Sequence, residues 1–246
     1  MNNIHLIILP GWGGNKQTWH EFVEIAKPYF ASVTVIELPC FGDEPCPAEV
    51  WGVEEYSVFV NDKIKNIKSK ITDPNAKVIV MGHSFGGQVL AHVVGNNPDI
   101  CDRVIFAASS IVREDFWFKR SALGFAAKVG KSIFFIPGIR QFEQVAKKVL
   151  YKVADSPDYQ KTSGVQREIY KKIIRQDQQS ALDSITVPAL VVWGDKDRMT
   201  LLKYGTMIHK RLKQAEFVVI SGATHGLHHE KRRELLDAVV SFCTMI

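Results

Sequence analysis

Short apolar runs alternate along this chain with longer amphipathic runs, and this alternation is the strongest constraint on its fold. Six runs are rich in β-branched residues and almost uncharged: residues 4–9, 33–38, 77–81, 104–107, 189–193 and 217–220. Strands that are buried on both faces have this composition. Between these runs, apolar residues recur at helical spacing in residues 56–69, 86–94, 201–212 and 231–242. Strand and helix in alternation predict a mostly parallel sheet flanked by helices.

One interval departs from this alternation. No convincing strand lies between residues 109 and 187, and the stretch is typical of several helices separated by breaks at glycine and proline. We interpret it as a helical lid, or cap, that is inserted into an α/β core. The predicted core comprises residues 1–110 and 185–246, and the predicted lid comprises residues 111–184.

Composition excludes several classes of protein. The chain has 246 residues, of which 46% are hydrophobic and 23% are charged, values that are ordinary for a globular domain. They argue against a disordered chain and against a collagen-like fibre. No stretch approaches the roughly 18 consecutive apolar residues of a membrane helix. The apolar run at residues 4–9 follows no basic segment, which indicates a first strand rather than a signal peptide.

The cysteines indicate the cellular compartment. Four cysteines are too few for a disulfide framework, and their spacing matches no zinc site. Since no export signal is evident, we expect reduced thiols and a cytoplasmic protein. Cys40 and Cys46 are nevertheless close enough in sequence to pair, so the sequence leaves their redox state open.

The sequence Gly-His-Ser-Phe-Gly-Gly at residues 82–87 follows a predicted strand and precedes a predicted helix. The pattern G-x-S-x-G in this context is typical of a nucleophilic serine, here Ser84. Because the turn is tight, the residues two before and two after the serine must be small. The helix that begins there directs free N–H groups and its positive dipole end toward developing negative charge. His83 is expected to pack or to form a hydrogen bond rather than to react.

A serine nucleophile needs a base, and the base needs a group that orients it. Two carboxylates, Asp195 and Asp197, follow the fifth predicted strand, and His225 follows the last one. Because the carboxyl ends of parallel strands meet at one edge of the sheet, these side chains are expected near Ser84. Serine, aspartate and histidine occur in the order that α/β-hydrolases use. On this reasoning either aspartate could supply the acid.

Four stretches carry a resemblance to the α/β-hydrolase fold superfamily over essentially the whole chain: LPGWGGN at 9–15, GHSFGG at 82–87, VPALVVWGDKD at 187–197 and GATHG at 222–226. The resemblance implies an α/β fold with a mostly parallel central sheet, and a helical lid inserted after the sixth strand. It also implies a catalytic triad in which Asp197, the last residue of G-x-x-D, is the acid and His225 is the base.

The same resemblance implies an oxyanion hole, in which two backbone N–H groups hold the charge of a tetrahedral intermediate. One belongs to Phe85, the residue after the nucleophile, and the other to Trp12 in the loop after the first strand. Relatives usually carry histidine where this chain has Pro10. The donor is a backbone amide two residues later, so proline need not abolish the hole. Trp12 and Phe85 are also predicted to contact substrate, together with Phe116 and Phe118 of the lid.

These residues predict a serine esterase, which hydrolyses a carboxylic ester through an acyl-enzyme on Ser84. The pattern calls for no metal ion and no other cofactor. Haloalkane dehalogenases and epoxide hydrolases of this superfamily use an aspartate nucleophile, so the serine disfavours both. Thioesterases and C–C bond hydrolases use the same triad and stay open as alternatives. So do an acyltransferase and a weakly catalytic receptor that keeps the triad to bind a ligand.

Positive charge is concentrated in the predicted lid. Residues 111–176 contain 14 lysines or arginines and 6 acidic residues, a net charge of +8, whereas the rest of the chain carries −3. A solvated helical face would explain this excess, but a positive field can also steer an acidic partner toward the lid. Aromatic residues do not alternate with the basic ones, which argues against a platform for nucleic acid.

The pattern Pro-Gly-Trp-Gly-Gly-Asn at residues 10–15, together with the short chain and the lid, resembles small bacterial carboxylesterases. That group includes esterases that act on pimeloyl-carrier-protein methyl esters and receive the acidic carrier on a basic lid. The resemblance implies a small acyl ester as substrate and an acidic acyl carrier protein as a candidate partner. The sequence gives no indication of oligomeric state.

Overall fold

All six predicted strands form, and they pair into one parallel sheet. The structure is a computed structural model that describes residues 3–113 and 162–244. The order of strands across the sheet is β2-β1-β3-β4-β5-β6, and every neighbouring pair is parallel. In chain order the strands are β1 (Ile4–Leu9), β2 (Ser32–Val35), β3 (Lys77–His83), β4 (Arg103–Ala107), β5 (Ala189–Gly194) and β6 (Ala215–Ile220).

Helices connect the strands and flank the sheet. Those of the described residues are α1 (Lys16–Ala26), α2 (Val53–Lys68), α3 (Phe85–Asn96), α4 (Gly164–Ile173), α5 (Gln179–Leu182), α6 (Leu202–Arg211), α7 (Leu227–Glu230) and α8 (Arg232–Thr244). Short 3-10 turns follow α1 at Lys27–Tyr29 and α3 at Pro98–Ile100. Helix α2 packs along α3, and α1 packs against α7 and α8.

The inner strands of the sheet form the centre of the core. All six residues of β5 are buried, and so are all but the first residue of β3 and of β4. The edge strands β2 and β6 are only partly buried. This difference follows from the sequence, because the inner runs are uniformly apolar and are covered on both faces.

The second strand is shorter than predicted. It ends at Val35 rather than at residue 38, and the chain then turns away from the sheet. The turn is held by Glu37, whose carboxylate accepts hydrogen bonds from the backbone N–H groups of Lys16 (2.9 Å) and Asp43 (3.1 Å). A buried carboxylate in a predicted strand thus serves as an anchor for two loops.

Residues 111–184, which the resemblance predicts to form a lid after the sixth strand, lie between β4 and β5, the fourth and fifth strands of the described residues. A lid there stays a prediction. Helices α4 and α5 lie between β4 and β5. Residues 114–161 of the predicted lid lie outside the described residues, and Phe116 and Phe118 lie there with them.

The general expectation of reduced thiols does not hold for Cys40 and Cys46, whose redox state the sequence leaves open, because the structure joins the two in a disulfide. The pairing has a local cause: the N–H of Cys40 donates to the carbonyl oxygen of Pro45 (3.3 Å) and closes a turn that brings the two Cα atoms to 4.0 Å. Cys101 and Cys243 are buried free thiols. In residues 3–113 and 162–244, no helix has the length and apolarity needed to cross a bilayer.

Helix α1 begins with a capping box. The side chain of Asn15 accepts a hydrogen bond from the N–H of Thr18 (3.0 Å), and the hydroxyl of Thr18 accepts one from the N–H of Asn15 (2.9 Å). These contacts satisfy backbone groups that have no partner inside the helix. The cap fixes the start of a helix that buries Trp19 and Phe22.

Replacing Asn15 by alanine is expected to lower the free energy of unfolding by about 1 kcal/mol, because the first turn of α1 loses its cap. Urea denaturation of Asn15→Ala and of Asn15→Ser, which keeps a capping oxygen, measures the effect. Serine should recover most of the loss. Equal stability of the alanine variant and the wild type would contradict the role of the cap.

Candidate active site

Ser84 lies in the tight turn between β3 and α3, at the carboxyl edge of the sheet. Its backbone has a φ of 50° and a ψ of −116°, a strained conformation for a residue other than glycine. The neighbouring glycines are required by space. A Cβ atom on Gly82 would lie 2.6 Å from the Cα of Gly87, and a Cβ atom on Gly86 would collide with the carbonyl oxygen of Leu9. The backbone therefore forms the tight turn that the G-x-S-x-G pattern predicts.

His225 and Asp197 form a hydrogen-bonded pair at the same edge of the sheet. Asp197 follows β5 and His225 follows β6, and Nδ1 of the histidine donates to Oδ2 of the aspartate over 2.8 Å. The carboxylate is fully buried, whereas 14% of the histidine side chain is exposed. The pair can thus orient the imidazole ring and keep Nε2 as the nitrogen that accepts a proton.

Thr200 completes this network and was missed by the sequence patterns. Its backbone N–H donates to Oδ1 of Asp197 (2.9 Å), as does that of Met199 (2.8 Å), and its hydroxyl donates to Oδ2 (2.8 Å). The signal in the sequence is a threonine three residues after an aspartate, a spacing at which a carboxylate often accepts backbone N–H bonds.

Asp197 is ionised at neutral pH despite its burial. Burial alone would raise the pKa of the carboxyl group, but hydrogen bonds from His225 and Thr200 outweigh it and hold the pKa below its ordinary value. A buried negative charge therefore lies against Nδ1 of His225.

Asp195, the alternative acid, makes a different contact. It is exposed, and its Oδ1 accepts a hydrogen bond from the N–H of Gly222 over 2.7 Å. This bond joins the loop after β5 to the turn after β6. The structure thus places Asp197, and not Asp195, in contact with His225.

One open cleft contains both Ser84 and His225. Its walls include Trp12 and neighbouring glycines from the loop after β1, Met199 from the loop after β5, and His228 from α7. The sequence-predicted nucleophile and base thus face the same space, although they come from separate strand ends. Their arrangement can support proton transfer from a serine hydroxyl to a histidine.

The loop after β1 lies directly against the nucleophile turn. A Cβ atom on Gly11 would lie only 3.0 Å from the Cβ of Ser84. Neither the N–H of Trp12 nor that of Phe85 donates a hydrogen bond to another part of the chain that the structure describes. Two such N–H groups without a protein acceptor are what an oxyanion hole requires.

Aromatic rings surround the indole of Trp12. Its ring centroid lies 4.8 Å from that of Phe41, 5.0 Å from that of Tyr170 and 5.7 Å from that of Phe85, all with edge-on geometry. The Phe85 ring is buried and also packs on Tyr56, at 5.1 Å. Trp12 therefore lines the cleft, whereas the side chain of Phe85 belongs to the core. Tyr170 was not indicated by the sequence, because its amphipathic helix gave no functional signal.

His83 and His228 are buried beside the cleft as uncharged rings. His228 stacks on Trp19 with ring centroids 4.2 Å apart, and His83 lies 4.9 Å from His228. Burial lowers the pKa of His83 to about 3 and that of His228 to about 2. Within residues 3–113 and 162–244, no group of three or more histidine, cysteine or acidic side chains is arranged to hold a metal ion.

Comparison with known families identifies the class of protein. The sequence matches the family described as alpha/beta hydrolase fold over residues 4–232. Because this match spans most of the chain, the protein belongs to that family. The parallel sheet and the strained turn at Ser84 agree with this membership.

Relatives with a named activity are similar over most of their length. The pimeloyl-acyl-carrier-protein methyl ester esterase of Neisseria meningitidis serogroup A is 26% identical over 233 residues, which cover 89% of this chain and 70% of that protein. The esterase of the same name from Vibrio campbellii is 25% identical over 239 residues, which cover 90% of this chain and 87% of that protein. Together with the family match, these similarities support a carboxylic ester hydrolase.

Solved structures share the fold at lower identity. A bromoperoxidase from Bacillus anthracis has a TM-score of 0.71 at 19% identity and covers 98% of this chain and 92% of its own. The enol-lactonase from Burkholderia xenovorans LB400 has a TM-score of 0.69 at 18% identity, and the match covers 99% of this chain and 92% of the lactonase chain. The activities of these neighbours differ, so the likeness concerns the fold alone.

The buried neutral histidines make the protein sensitive to acid. Unfolding exposes His83 and His228 to water, where their pKa values return to about 6.5 and they bind protons. Below that pH the free energy of unfolding should fall by up to about 1.4 kcal/mol per pH unit for each histidine. Asp197 also makes the folded protein more stable at neutral pH, because its pKa is lowered by folding. This stabilisation is lost only as the pH falls below about 4.

Urea denaturation at pH 7, 6 and 5 measures how the two histidines change the free energy of unfolding, because this range lies above the pH at which Asp197 is protonated. His228→Phe keeps a ring on Trp19 but binds no proton, so its free energy of unfolding should fall less steeply between pH 7 and pH 5. An acid dependence as steep as that of the wild type would show that His228 is not held neutral in the folded protein.

Proposed function

We propose that this protein is a serine hydrolase that cleaves carboxylic esters through an acyl-enzyme on Ser84, with Asp197 and His225 as the rest of a catalytic triad. The observation that carries the proposal is the 2.8 Å hydrogen bond between Asp197 and His225, at the cleft that also contains Ser84. A serine hydroxyl is a weak nucleophile without such a base. The strained turn, the oriented histidine and the buried carboxylate each serve that one reaction.

In the first step, Oγ of Ser84 attacks the carbonyl carbon of the ester and Nε2 of His225 takes the serine proton. Since a carboxylate can only accept, the proton of the neutral histidine ring is held on Nδ1, and Nε2 carries the lone pair. The imidazolium that forms is stabilised by the ionised Asp197.

The carbonyl oxygen becomes an anion in this step, and the backbone N–H groups of Trp12 and Phe85 are its proposed donors. Collapse of the tetrahedral intermediate breaks the ester C–O bond, and the leaving alcohol takes the proton from His225. Water then gives a proton to His225 and attacks the acyl carbon. As the acid is released, His225 passes this proton to Oγ of Ser84, which restores the serine. None of these steps requires a metal ion or a cofactor.

The substrate class that we propose is the methyl ester of an acyl group on an acyl carrier protein. The relatives from N. meningitidis and V. campbellii are named for such an ester. A lid at residues 111–184, with Phe116 and Phe118, would contact the acyl chain together with Trp12. The net charge of +8 in residues 111–176 would receive an acidic carrier, and the reaction would take place in the cytoplasm.

A series of p-nitrophenyl esters from acetate to laurate tests the reaction. The wild type should turn these esters over, and Ser84→Ala should lose on the order of 10⁴–10⁶ of the turnover, because no acyl-enzyme can form. The chain length with the highest kcat/KM measures the acyl pocket. Equal hydrolysis by both proteins would contradict the role of Ser84, and a burst followed by no turnover would favour a receptor.

A matched pair of aspartate variants tests the acid. Asp197→Asn should lower kcat by about 10⁴-fold, because an amide can no longer hold the required tautomer of His225. Asp195→Asn makes the same change two residues away in an exposed side chain, and it should retain most of the activity. Loss of kcat in Asp195→Asn alone would overturn the assignment.

Salt dependence tests the carrier partner. Raising NaCl from about 50 to 500 mM should raise KM for a carrier-bound methyl ester by roughly tenfold or more, because screening weakens attraction between the basic segment and the carrier. KM for a small free ester should stay unchanged. Arg175→Glu should weaken the use of the carrier, whereas Lys210→Glu, an exposed residue outside the basic segment, should not. Equal KM values at both salt concentrations would rule out this steering.

A further inference from the structure

His83 connects the nucleophile turn to the histidine loop, and it has no role in the proposed steps of ester hydrolysis. It is the last residue of β3 and directly precedes Ser84. Its imidazole is buried, and its Nε2 lies 2.9 Å from the backbone carbonyl oxygen of His225. Because a carbonyl oxygen only accepts hydrogen bonds, Nε2 carries a proton and donates it.

The same ring also contacts the loop after β1. A Cβ atom on Gly11 would lie 3.0 Å from Nδ1 of His83, so the ring and the loop are in close contact. Gly11 immediately precedes Trp12, the proposed oxyanion donor. One buried side chain thus touches the three segments that supply the proposed nucleophile, base and oxyanion hole.

The histidine loop is anchored differently on its outer side. There the N–H and the hydroxyl of Thr224 donate to the carboxylate of Glu230 over 3.2 and 2.6 Å, and both of these bonds are exposed to solvent. On the inner side, Asp197 holds the ring of His225 and His83 holds its backbone carbonyl. The inner contacts are partly buried, so water competes with them less than with the outer ones.

We propose that His83 is a positioning residue, which fixes the imidazole of His225 relative to Ser84 by donating a hydrogen bond to the His225 carbonyl. The inference rests on the ester hydrolysis proposed above. Asp197 restrains the ring of His225 at Nδ1, but this restraint places Nε2 correctly only if the backbone of the loop is also fixed. Displacement of a reacting group by about 1 Å can lower the rate on the order of 100-fold.

The neutral state of His83 suits this task. Burial first, and repulsion from His225 second, lower the pKa of His83 to about 3. The two ring centroids are only 4.9 Å apart. When His225 takes up the serine proton, His83 therefore adds no second positive charge that would oppose the imidazolium. A lysine could donate the same hydrogen bond, but its charge would act against the proton transfer.

The test compares His83→Phe and His83→Gln with a control at His209. Phenylalanine keeps a ring but removes the donor, whereas the side-chain amide of glutamine can place an N–H close to the position of Nε2. His209, which lies in α6 outside the cleft, is a matched control, since its Nε2 donates to the carbonyl oxygen of Ala215 in β6 over 3.1 Å. For each protein, kcat and KM for the best p-nitrophenyl ester are measured together with the thermal unfolding midpoint.

His83→Phe should lower kcat by about 10- to 100-fold and change KM by less than about threefold, because the base is misplaced while the acyl pocket is intact. His83→Gln should recover most of kcat. His209→Phe should lower the unfolding midpoint without lowering kcat. A wild-type kcat in His83→Phe, or equal impairment of the phenylalanine and glutamine variants when both fold, would overturn the inference.

A second pair of variants covers the case in which His83→Phe does not fold. The shorter amide of His83→Asn reaches the position of Nδ1 but not the His225 carbonyl, so its kcat should lie at least about tenfold below that of His83→Gln. Equal kcat values in these two variants would equally overturn the role of the hydrogen bond.

Failure of this inference can be separated from failure of the proposed function. A wild type that hydrolyses no ester contradicts the function, whatever His83 does. The backbone carbonyl ¹³C resonance of His225 reports the hydrogen bond, and its imidazole ¹⁵N resonances report the placement of the ring, both without any turnover. They should match the wild type in His83→Gln and shift in His83→Asn. Unchanged resonances in both variants would overturn the inference.

Discussion

The close approach of the nucleophile turn to the end of β1 is the contact on which the site depends. Gly86 lies against the carbonyl oxygen of Leu9 so tightly that any side chain there would collide with it. This contact fixes Ser84 and the loop that carries Trp12 at the same time. The backbone strain at Ser84 is tolerated because the inner strands around it are buried on both faces and hold the turn in place.

Burial controls charge throughout the site. Asp197 keeps its negative charge because hydrogen bonds from His225 and Thr200 offset the cost of burial. His83 and His228 stay neutral because burial outweighs the interactions that would favour their charged forms. His225 thus faces one fixed negative charge and no competing positive charge from the two buried rings.

The sequence predicts the features that depend on neighbours along the chain. Six apolar runs give six strands, and a glycine pattern gives the turn at Ser84. Contacts between distant residues leave no such local signal. Thr200 contacts Asp197 within one loop. His83 and His225 are 142 positions apart, and only the folded sheet brings these two residues together. The disulfide between Cys40 and Cys46 is local, but it depends on a turn whose geometry the spacing alone does not fix. Phe116 and Phe118 stay predictions.

Covalent labelling tests the central claim most directly. A fluorophosphonate reacts with a serine only when a base activates it, and the tryptic peptide 78–103 contains Ser84 as its only hydroxyl side chain. Mass spectrometry of the labelled wild type should find one adduct per chain, on this peptide, and none in Ser84→Ala or after denaturation. An unlabelled peptide 78–103 in the folded wild type, or an adduct elsewhere, would contradict an activated Ser84.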